Sequence, residues 1–298
     1  MFGFPSRKLC KWTHFSNRWR HSSLMSNEVV LYDKKDSGVA LISLNRPDRL
    51  NAITGELTAR LKEKIDDACK DDDVKVIVLT GSGRGFSAGA DMDSLSDISA
   101  NNREENPDQP EDRNYETNGL SEWEGTYSYF PSVPKPIIAA INGPAAGVGL
   151  IMSLYCDMRV ASEDAVFSTA FSKRGLIAEW GVGWILPRII GVAHTMDIMM
   201  TARKFDAKEA ERIGLVNRSF PAESFMEDVM TYAEDIAQNV SPRSVQIMKR
   251  QIYTALGEDI KTNLESSMEE MVKSFGSEDF KEGVKHFIEK RPANFTGK

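Results

Sequence analysis

Two runs of branched apolar residues, each followed at once by glycines, constrain the fold of this 298-residue chain more than any other feature. Residues 74–79 lead into a glycine-rich segment at 81–91, and residues 137–141 lead into a second one at 142–149. Short β-branched runs that end at turn signals are typical of buried strands. Residues 54–70 carry apolar side chains at helical spacing. Strands that alternate with helices in this way predict an α/β layered fold.

The remaining pattern divides the chain into two regions. Residues 29–32, 39–44 and 158–161 predict further strands of the same sheet. Beyond residue 221 four segments have helical patterns, with no strand pattern between them, and these are residues 222–239, 242–256, 260–275 and 280–289. We therefore predict a core over residues 28–220 and a helical C-terminal region over residues 221–298.

Residues 1–27 differ from the rest of the chain in charge. They contain basic side chains and no acidic one, although the whole chain has a net charge of −7. On a helical wheel their basic and aromatic side chains fall on separate stripes. Such a segment is typical of a mitochondrial presequence, which we predict to be disordered. A disordered basic tail, or a start upstream of the true one, would have the same composition. A cytoplasmic or peroxisomal location is the alternative, although the chain does not end in the peroxisomal Ser-Lys-Leu signal.

Composition excludes several classes of function. The chain beyond residue 27 is strongly acidic, which argues against nucleic acid as a partner because phosphate binding needs a basic surface. No apolar run approaches the roughly 18 residues of a membrane-spanning helix. Cys10, Cys69 and Cys156 are far apart, and no two histidines lie four residues apart. We therefore expect no disulfide framework and no metal site. No redox cofactor is implied either, so we expect no cofactor.

An acidic insert near residues 97–124 separates the two glycine-rich segments. Its composition predicts a solvated loop, and its position also allows a lid over a site. We expect the aromatic residues at its end to line a pocket, and these are Trp123, Tyr127, Tyr129 and Phe130.

The glycine-rich segments suggest backbone chemistry rather than nucleotide binding. The first fails the dinucleotide pattern because Phe86 stands where the third glycine belongs, and no Gly-Lys-Ser/Thr follows it. Glycine loops can also direct bare N–H groups at a developing negative charge. Two such loops could each give one N–H to a single carbonyl oxygen. The alternative is that each is only a tight turn between a strand and a helix.

Several motifs occur together in an order that one family shares. They are Asn45-Arg46-Pro47, Leu50-Asn51-Ala52, the segment from Phe86 to Asp91, the segment from Lys135 to Gly149, Cys156-Asp157, Leu186-Pro187-Arg188, the segment from Ala207 to Asn217, and the segment from Phe287 to Arg291. On these motifs the chain resembles the enoyl-CoA hydratase/isomerase (crotonase) family over about residues 28–295. The resemblance implies a spiral of ββα units, a helical C-terminal region involved in trimerisation, a homotrimer or homohexamer, and an acyl-CoA substrate.

The resemblance also implies a set of site residues. The backbone N–H groups of Ala88 and Val148 would hold the thioester oxygen and stabilise an enolate. Phe287 and Lys290, from a neighbouring subunit, would approach the nucleotide end of CoA. The other residues expected to bind CoA or the acyl group are Asp48, Arg49, Ala52, Phe86, Ser87, Ala90, Asp91, Gly147, Phe171 and Trp180. Asp91 is also predicted to cap the helix that follows it.

The sequence departs from the family at the two glutamates that perform hydration. The matching positions are Ile151 and Phe171, which cannot transfer a proton. One carboxylate remains in this region, Glu179, at a position where family members that shift double bonds carry an acid. A single base can move a proton between Cα and Cγ of an enolate, and burial would raise the pKa of Glu179. Alternatively, Glu179 could cap a helix that begins near Gly181.

These residues favour enoyl-CoA isomerisation with Glu179 as the single acid and base. The first alternative is an enoyl-CoA hydratase of fatty-acid or amino-acid breakdown. The second is a member that binds CoA and has lost catalysis.

Overall fold

The computed structural model describes residues 28–101 and 118–298. The predicted presequence lies outside these residues, as do residues 102–117 of the predicted insert. The strands in chain order are β1 (Val30–Lys34), β2 (Val39–Leu44), β3 (Val76–Gly81), β4 (Ile137–Ile141), β5 (Ala145–Ala146), β6 (Met158–Ser162), β7 (Val166–Ser168), β8 (Phe205–Asp206) and β9 (Arg218–Phe220). The helices are α1 (Gly55–Lys70), α2 (Met92–Asn101), α3 (Val148–Leu154), α4 (Val182–Thr201), α5 (Ala207–Arg212), α6 (Phe225–Asn239), α7 (Pro242–Thr254), α8 (Ile260–Phe275) and α9 (Glu278–Glu289).

In the part of the chain that is described, two sheets form the α/β architecture predicted from the alternating pattern. The larger sheet has the order β1-β2-β3-β4-β6-β9, in which only the β1–β2 pair is antiparallel. The smaller sheet has the order β5-β7-β8. Its strands are two or three residues long, which is too short to show a periodicity, so the sequence did not predict it.

The central strands are apolar throughout because both faces of the sheet are covered. On β3, Ile77 and Leu79 pack into the core that contains α1, whereas Val76 and Val78 pack against α6. This is the pattern of a parallel sheet between two layers. The strand was predicted at residues 74–79, but it extends to Gly81 because Thr80 and Gly81 pair with the end of β2.

Side-chain caps decide where several helices begin. The Thr54 side chain accepts a hydrogen bond from the Leu57 N–H, so α1 starts one residue later than predicted. The Ser277 side chain accepts from the Phe280 N–H, so α9 starts at Glu278 rather than at Phe280. Ser, Thr and Asp are favoured at these positions because they satisfy N–H groups that have no partner within the helix.

The helices after β9 have two different surroundings. Helix α6 covers the large sheet, whereas α7 contacts α8 and α8 contacts α9. Large apolar side chains are exposed on α8 and α9, and these are Ile260, Leu264, Met268, Met271, Val272, Phe275, Phe280, Val284, Phe287 and Ile288. Among the described residues, no helix is long and apolar enough to cross a membrane.

Candidate active site

The two glycine-rich loops lie side by side. Ser87 forms a parallel bridge with Ala145, and the Ala146 N–H donates to the Ser87 carbonyl over 2.9 Å. Gly89 and Gly147 meet at the centre of this contact, with φ of 93° and 50°. A Cβ on Gly89 would lie 2.7 Å from the Ala146 carbonyl oxygen. Glycine is therefore required at residue 89 both for its positive φ and for the close approach of the two backbones.

Hydrogen bonds within the first loop decide which N–H groups remain available. The Ala88 N–H donates to the Leu50 carbonyl over 2.8 Å, and the Gly89 N–H donates to the Ser87 hydroxyl over 3.2 Å. Ala88, the donor expected from the sequence, is thus already paired. The Ala90 N–H has no backbone acceptor among the described residues.

The pairing of Ile53 explains why Ala90 differs from Ala88. The Ile53 N–H donates to the Gly89 carbonyl, and the Ile53 carbonyl accepts from the Asp91 N–H. In a β-bridge of this kind the N–H of the intervening residue points away from the partner strand, so the Ala90 N–H points away from Ile53. Sequence reasoning named Ala90 only as a substrate contact, because its unpaired N–H becomes visible only once the partner of residues 88–91 is known.

The second loop presents Val148 at the start of α3. The first N–H groups of a helix have no acceptor within it, and the Val148 N–H has no backbone acceptor in the ranges 28–101 and 118–298. The residue before Val148 is Gly147, which has no side chain to accept a hydrogen bond from the start of α3. Ala90 and Val148 therefore each leave one N–H without a backbone acceptor, one from each loop, and two such donors directed at one oxygen would stabilise an oxyanion.

Asn51 supports the first loop from beneath and was not identified as a site residue from the sequence. Its side chain is fully buried and donates to the carbonyls of Ser82 (3.0 Å) and Gly85 (2.8 Å), while its Oδ1 accepts from the Arg46 N–H over 2.8 Å. The Ser87 hydroxyl donates to the Asn51 carbonyl over 2.8 Å. The sequence feature that could have identified Asn51 was its place in the Leu50-Asn51-Ala52 motif.

Asp91 has a structural role, as predicted. Its Oδ1 accepts from the Asp93 N–H over 3.1 Å and so caps α2. Arg46 Nη1 lies 2.8 Å from Asp91 Oδ2, and the same nitrogen donates to the Ala52 carbonyl. The hydrogen bond from Arg46 holds the pKa of Asp91 below its ordinary value. Because this carboxylate is ionised and paired, it is a poor candidate for a base.

The positions of the two family glutamates are apolar and buried. Ile151 lies on α3 with 1% of its surface exposed, and Phe171 follows β7 with 5% exposed. Both side chains belong to the main apolar core. Neither position can hold or move a proton.

Glu179 lies in a turn immediately before α4. Its N–H donates to the Ile177 carbonyl, and its carbonyl accepts from the Val182 N–H, each over 3.0 Å. The cap of α4 is Gly181, with no side-chain hydrogen bond, so the alternative role of Glu179 as a helix cap is not observed. Partial burial raises the pKa of Glu179, as predicted, and a hydrogen bond from the Trp180 side chain opposes this rise. A carboxyl group of raised pKa is suited to proton transfer near neutral pH.

Aromatic rings surround this turn on its inner side. Trp180 meets Tyr127 edge-on at a centroid distance of 5.6 Å. Trp123 contacts the rings of Tyr253, Trp184 and Tyr155 at 5.0, 5.5 and 6.4 Å. Trp123, Tyr127, Tyr129 and Phe130, which were expected to line a pocket, are buried in the main core. Of these four, Tyr127 contacts the turn through Trp180, and Trp123 lies against Tyr155 and Trp184.

The residues expected to contact CoA that have not yet been placed fall into four groups. Asp48 and Arg49 are exposed, and Arg49 Nη2 lies 3.3 Å from Asp93 Oδ2. Phe86 and Ser87 are completely buried, so their side chains support the loop and cannot touch a ligand in this conformation. Phe287 and Lys290 are exposed at the end of α9, where Phe287 has 80% of its surface exposed. Ala52, Ala90, Gly147 and Trp180 lie along the loops and the turn already described.

The described part of the chain offers no set of side chains that could bind a metal ion. No group of three or more His, Cys, Asp or Glu side chains lies close enough there to hold an ion. The groups that the two loops and the turn offer are two backbone N–H groups and one carboxyl group.

Comparison with known proteins gives a consistent assignment. The enoyl-CoA hydratase/isomerase family model matches residues 34–298. A probable enoyl-CoA hydratase of Mycobacterium bovis is 37% identical over 76% of this chain and 78% of its own length. The 1,2-epoxyphenylacetyl-CoA isomerase of Escherichia coli is 32% identical over 86% of this chain and 97% of its own length. The crystal structure of an enoyl-CoA hydratase from Bacillus anthracis superposes with a TM-score of 0.77 at 29% identity, covering 91% of this chain and all of the other. The chain therefore has the crotonase fold and is an enzyme of the enoyl-CoA hydratase/isomerase family.

Proposed function

We propose that this enzyme shifts the double bond of an enoyl-CoA thioester, with Glu179 as its only acid and base. The N–H groups of Ala90 and Val148 hold the thioester oxygen. Glu179 removes a proton from Cα of a 3-enoyl-CoA, the enolate is stabilised by the two donors, and the same carboxyl returns the proton to Cγ. The product is the 2-enoyl-CoA, so no atom is gained or lost.

One observation carries this proposal. Both positions at which the family holds its hydration glutamates are buried apolar side chains, Ile151 and Phe171, and a carboxyl of raised pKa remains at Glu179. Isomerisation needs one group that both removes and returns a proton. Hydration needs a group that activates water and another that protonates Cα.

The arrangement of α3 supports this assignment. Val148 begins this helix and Tyr155, which contacts the Glu179 turn, follows its end. A helix of seven residues is about 10 Å long. An enoyl chain that runs from Val148 along α3 would therefore extend towards the turn that carries Glu179.

Enoyl-CoA hydratase activity is the second candidate, and several relatives that are named as probable or putative enoyl-CoA hydratases favour it. A member that binds CoA without catalysis is the third.

The experiment that separates the three candidates offers 3-enoyl-CoA and 2-enoyl-CoA to the full-length protein in deuterated water, in parallel with the Glu179→Gln variant. Conversion of the 3-enoyl to the 2-enoyl form, lost in the variant by a factor of about 10²–10⁴, supports isomerisation. Formation of 3-hydroxyacyl-CoA supports hydration. Binding of CoA without turnover or deuterium uptake supports the third candidate.

We further propose a homotrimer or homohexamer in which the exposed apolar side chains of α8 and α9 are covered by other copies of this chain. Phe287 and Lys290 would then reach the CoA nucleotide of a neighbouring subunit. Analytical ultracentrifugation of the full-length protein tests the assembly. A monomer at micromolar concentration would contradict it.

Mitochondrial targeting by residues 1–27 and a place in fatty-acid or amino-acid breakdown are likewise proposals. Attaching residues 1–27 to a fluorescent reporter tests the first, since a cytosolic reporter would exclude targeting. Turnover of straight-chain against branched or aromatic enoyl-CoA substrates tests the second.

A further inference from the structure

The turn that carries Glu179 has an unusual backbone. Trp180 and Gly181, which follow Glu179, have φ of 55° and 69°. A non-glycine residue avoids this left-handed region because its Cβ crowds the backbone. Such a conformation persists only where surrounding contacts hold it, so the contacts of Trp180 identify what shapes the turn.

The hydroxyl of Tyr155 provides such a contact. Tyr155 follows α3 and is buried, with 4% of its surface exposed. Its hydroxyl donates to the Trp180 carbonyl over 2.5 Å. The same hydroxyl lies close under Gly181, where an added Cβ would come within 2.6 Å of it. One buried hydroxyl thus touches both left-handed residues of the turn.

We propose that Tyr155 is a positioning residue that sets the place of the Glu179 carboxyl by holding the Trp180–Gly181 backbone from beneath. This rests on the proposed role of Glu179 as acid and base. Tyr155 touches neither substrate nor reacting atoms in this scheme. It acts through Trp180, whose side chain also donates to the Glu179 carboxyl.

The proposal predicts a specific effect for Tyr155→Phe. The ring and its contact with Trp123 remain, but the Trp180 carbonyl loses its donor. The turn then relaxes outward and the Glu179 carboxyl gains water. We expect kcat to fall about 10- to 100-fold, with KM changed less than about twofold, because small misplacements of a catalytic group are costly. The pKa of Glu179 should fall towards its ordinary value.

The matched control is Tyr232→Phe. The Tyr232 hydroxyl donates to the Met158 sulfur, on the side of the sheet that α6 covers. This variant makes the same chemical change far from the turn, so kcat and the Glu179 pKa should equal those of the wild type. A loss of kcat in both variants would point to a general loss of structure and would overturn the proposal.

A double-mutant cycle tests the contact itself. Gly181→Ala would place a methyl group where the Tyr155 hydroxyl lies, and its backbone strain is present in either background. The substitution should therefore reduce kcat at least about fivefold more in the wild type than in Tyr155→Phe. Equal costs in the two backgrounds would contradict the proposal. If Tyr155→Phe does not fold, Gly181→Ala is compared with Gly175→Ala, which has the same φ of 69° but meets nothing within 4 Å; a loss of kcat no larger at Gly181 than at Gly175 would contradict the proposal.

A carboxyl titration separates this inference from the proposed function. The Glu179 carboxyl is followed by 13C NMR and assigned by its loss in Glu179→Gln. A lower pKa in Tyr155→Phe supports the positioning role even if no enoyl-CoA is turned over, in which case the proposed function fails alone. An unchanged pKa and an unchanged kcat overturn the positioning role even if the isomerase is active.

Discussion

The ring of Tyr127 meets the indole of Trp180 edge-on, with the two centroids 5.6 Å apart. The Tyr127 hydroxyl lies 3.1 Å from the hydroxyl of Thr58 on α1. Burial of the ring raises the pKa of Tyr127 to about 12, so this hydroxyl stays neutral. Through these contacts the turn that carries Glu179 packs against the main core.

The Trp180 hydrogen bond should set the pH dependence of catalysis. The raised pKa of Glu179 is opposed by the hydrogen bond from the Trp180 side chain. In Trp180→Phe the ring contact with Tyr127 is kept and the hydrogen bond is lost, so the pKa of Glu179 should rise further. A base must be ionised, and we therefore expect the acid limb of the kcat/KM profile to move to higher pH. Trp184→Phe is the control, with an unmoved limb. A shift to lower pH in Trp180→Phe would contradict this account.

Glu179 should reduce stability where it is ionised. Because its pKa is raised in the folded state, the folded chain binds the proton more tightly than the unfolded chain. Its contribution to stability is therefore most favourable at low pH and decreases as the pH rises through the folded pKa. Glu179→Gln removes this effect. Its free energy of unfolding, measured in urea, should exceed that of the wild type at pH 8, with a smaller difference at pH 4.5. A variant less stable than the wild type at pH 8 would refute the prediction.

The free N–H of Ala90 can be removed without changing a side chain. Replacing Ala90 by lactic acid through nonsense suppression substitutes an ester oxygen for the N–H. We expect kcat to fall by about 10²–10³, as for the loss of one oxyanion donor. The same replacement at Ala88 removes the hydrogen bond to the Leu50 carbonyl, so it should lower the thermal midpoint and affect kcat less. Larger loss of kcat at Ala88 than at Ala90 would restore Ala88 as the donor.

Gly149 should be intolerant of a side chain because the two loops meet there. A Cβ at Gly149 would lie 2.5 Å from the Ser87 Cβ and 2.8 Å from the Ser87 carbonyl oxygen. Gly149→Ala should therefore cost about 1–3 kcal/mol in the free energy of unfolding. Gly55→Ala is the control, because a Cβ there meets nothing within 4 Å and alanine favours the helix. Denaturant unfolding of both variants checks this. Equal stability of the two would show that the loops are not in close contact.

The alternation of residue types along the chain was sufficient to predict the α/β class and several elements. Strands β2 and β4 and helix α8 were predicted with the bounds that the structure shows. These segments have a strong apolar pattern and clear turn or capping residues at both ends. The apolar identity of Ile151 and Phe171, and the carboxyl at Glu179, could also be read directly from the sequence.

The sequence alone determined which chemical groups are present. It shows glycine-rich loops after two strands, apolar residues at the positions of the two family glutamates, and the carboxyl group of Glu179. The tertiary structure decided which of these groups are available. Ala88 and Ala90 are the same residue type two positions apart, and only their pairing with Leu50 and Ile53 shows which N–H is free. The contact of Tyr155 with Trp180 likewise joins residues 25 positions apart. Local patterns do not encode such pairings, because a hydrogen bond across the fold depends on where every intervening element packs.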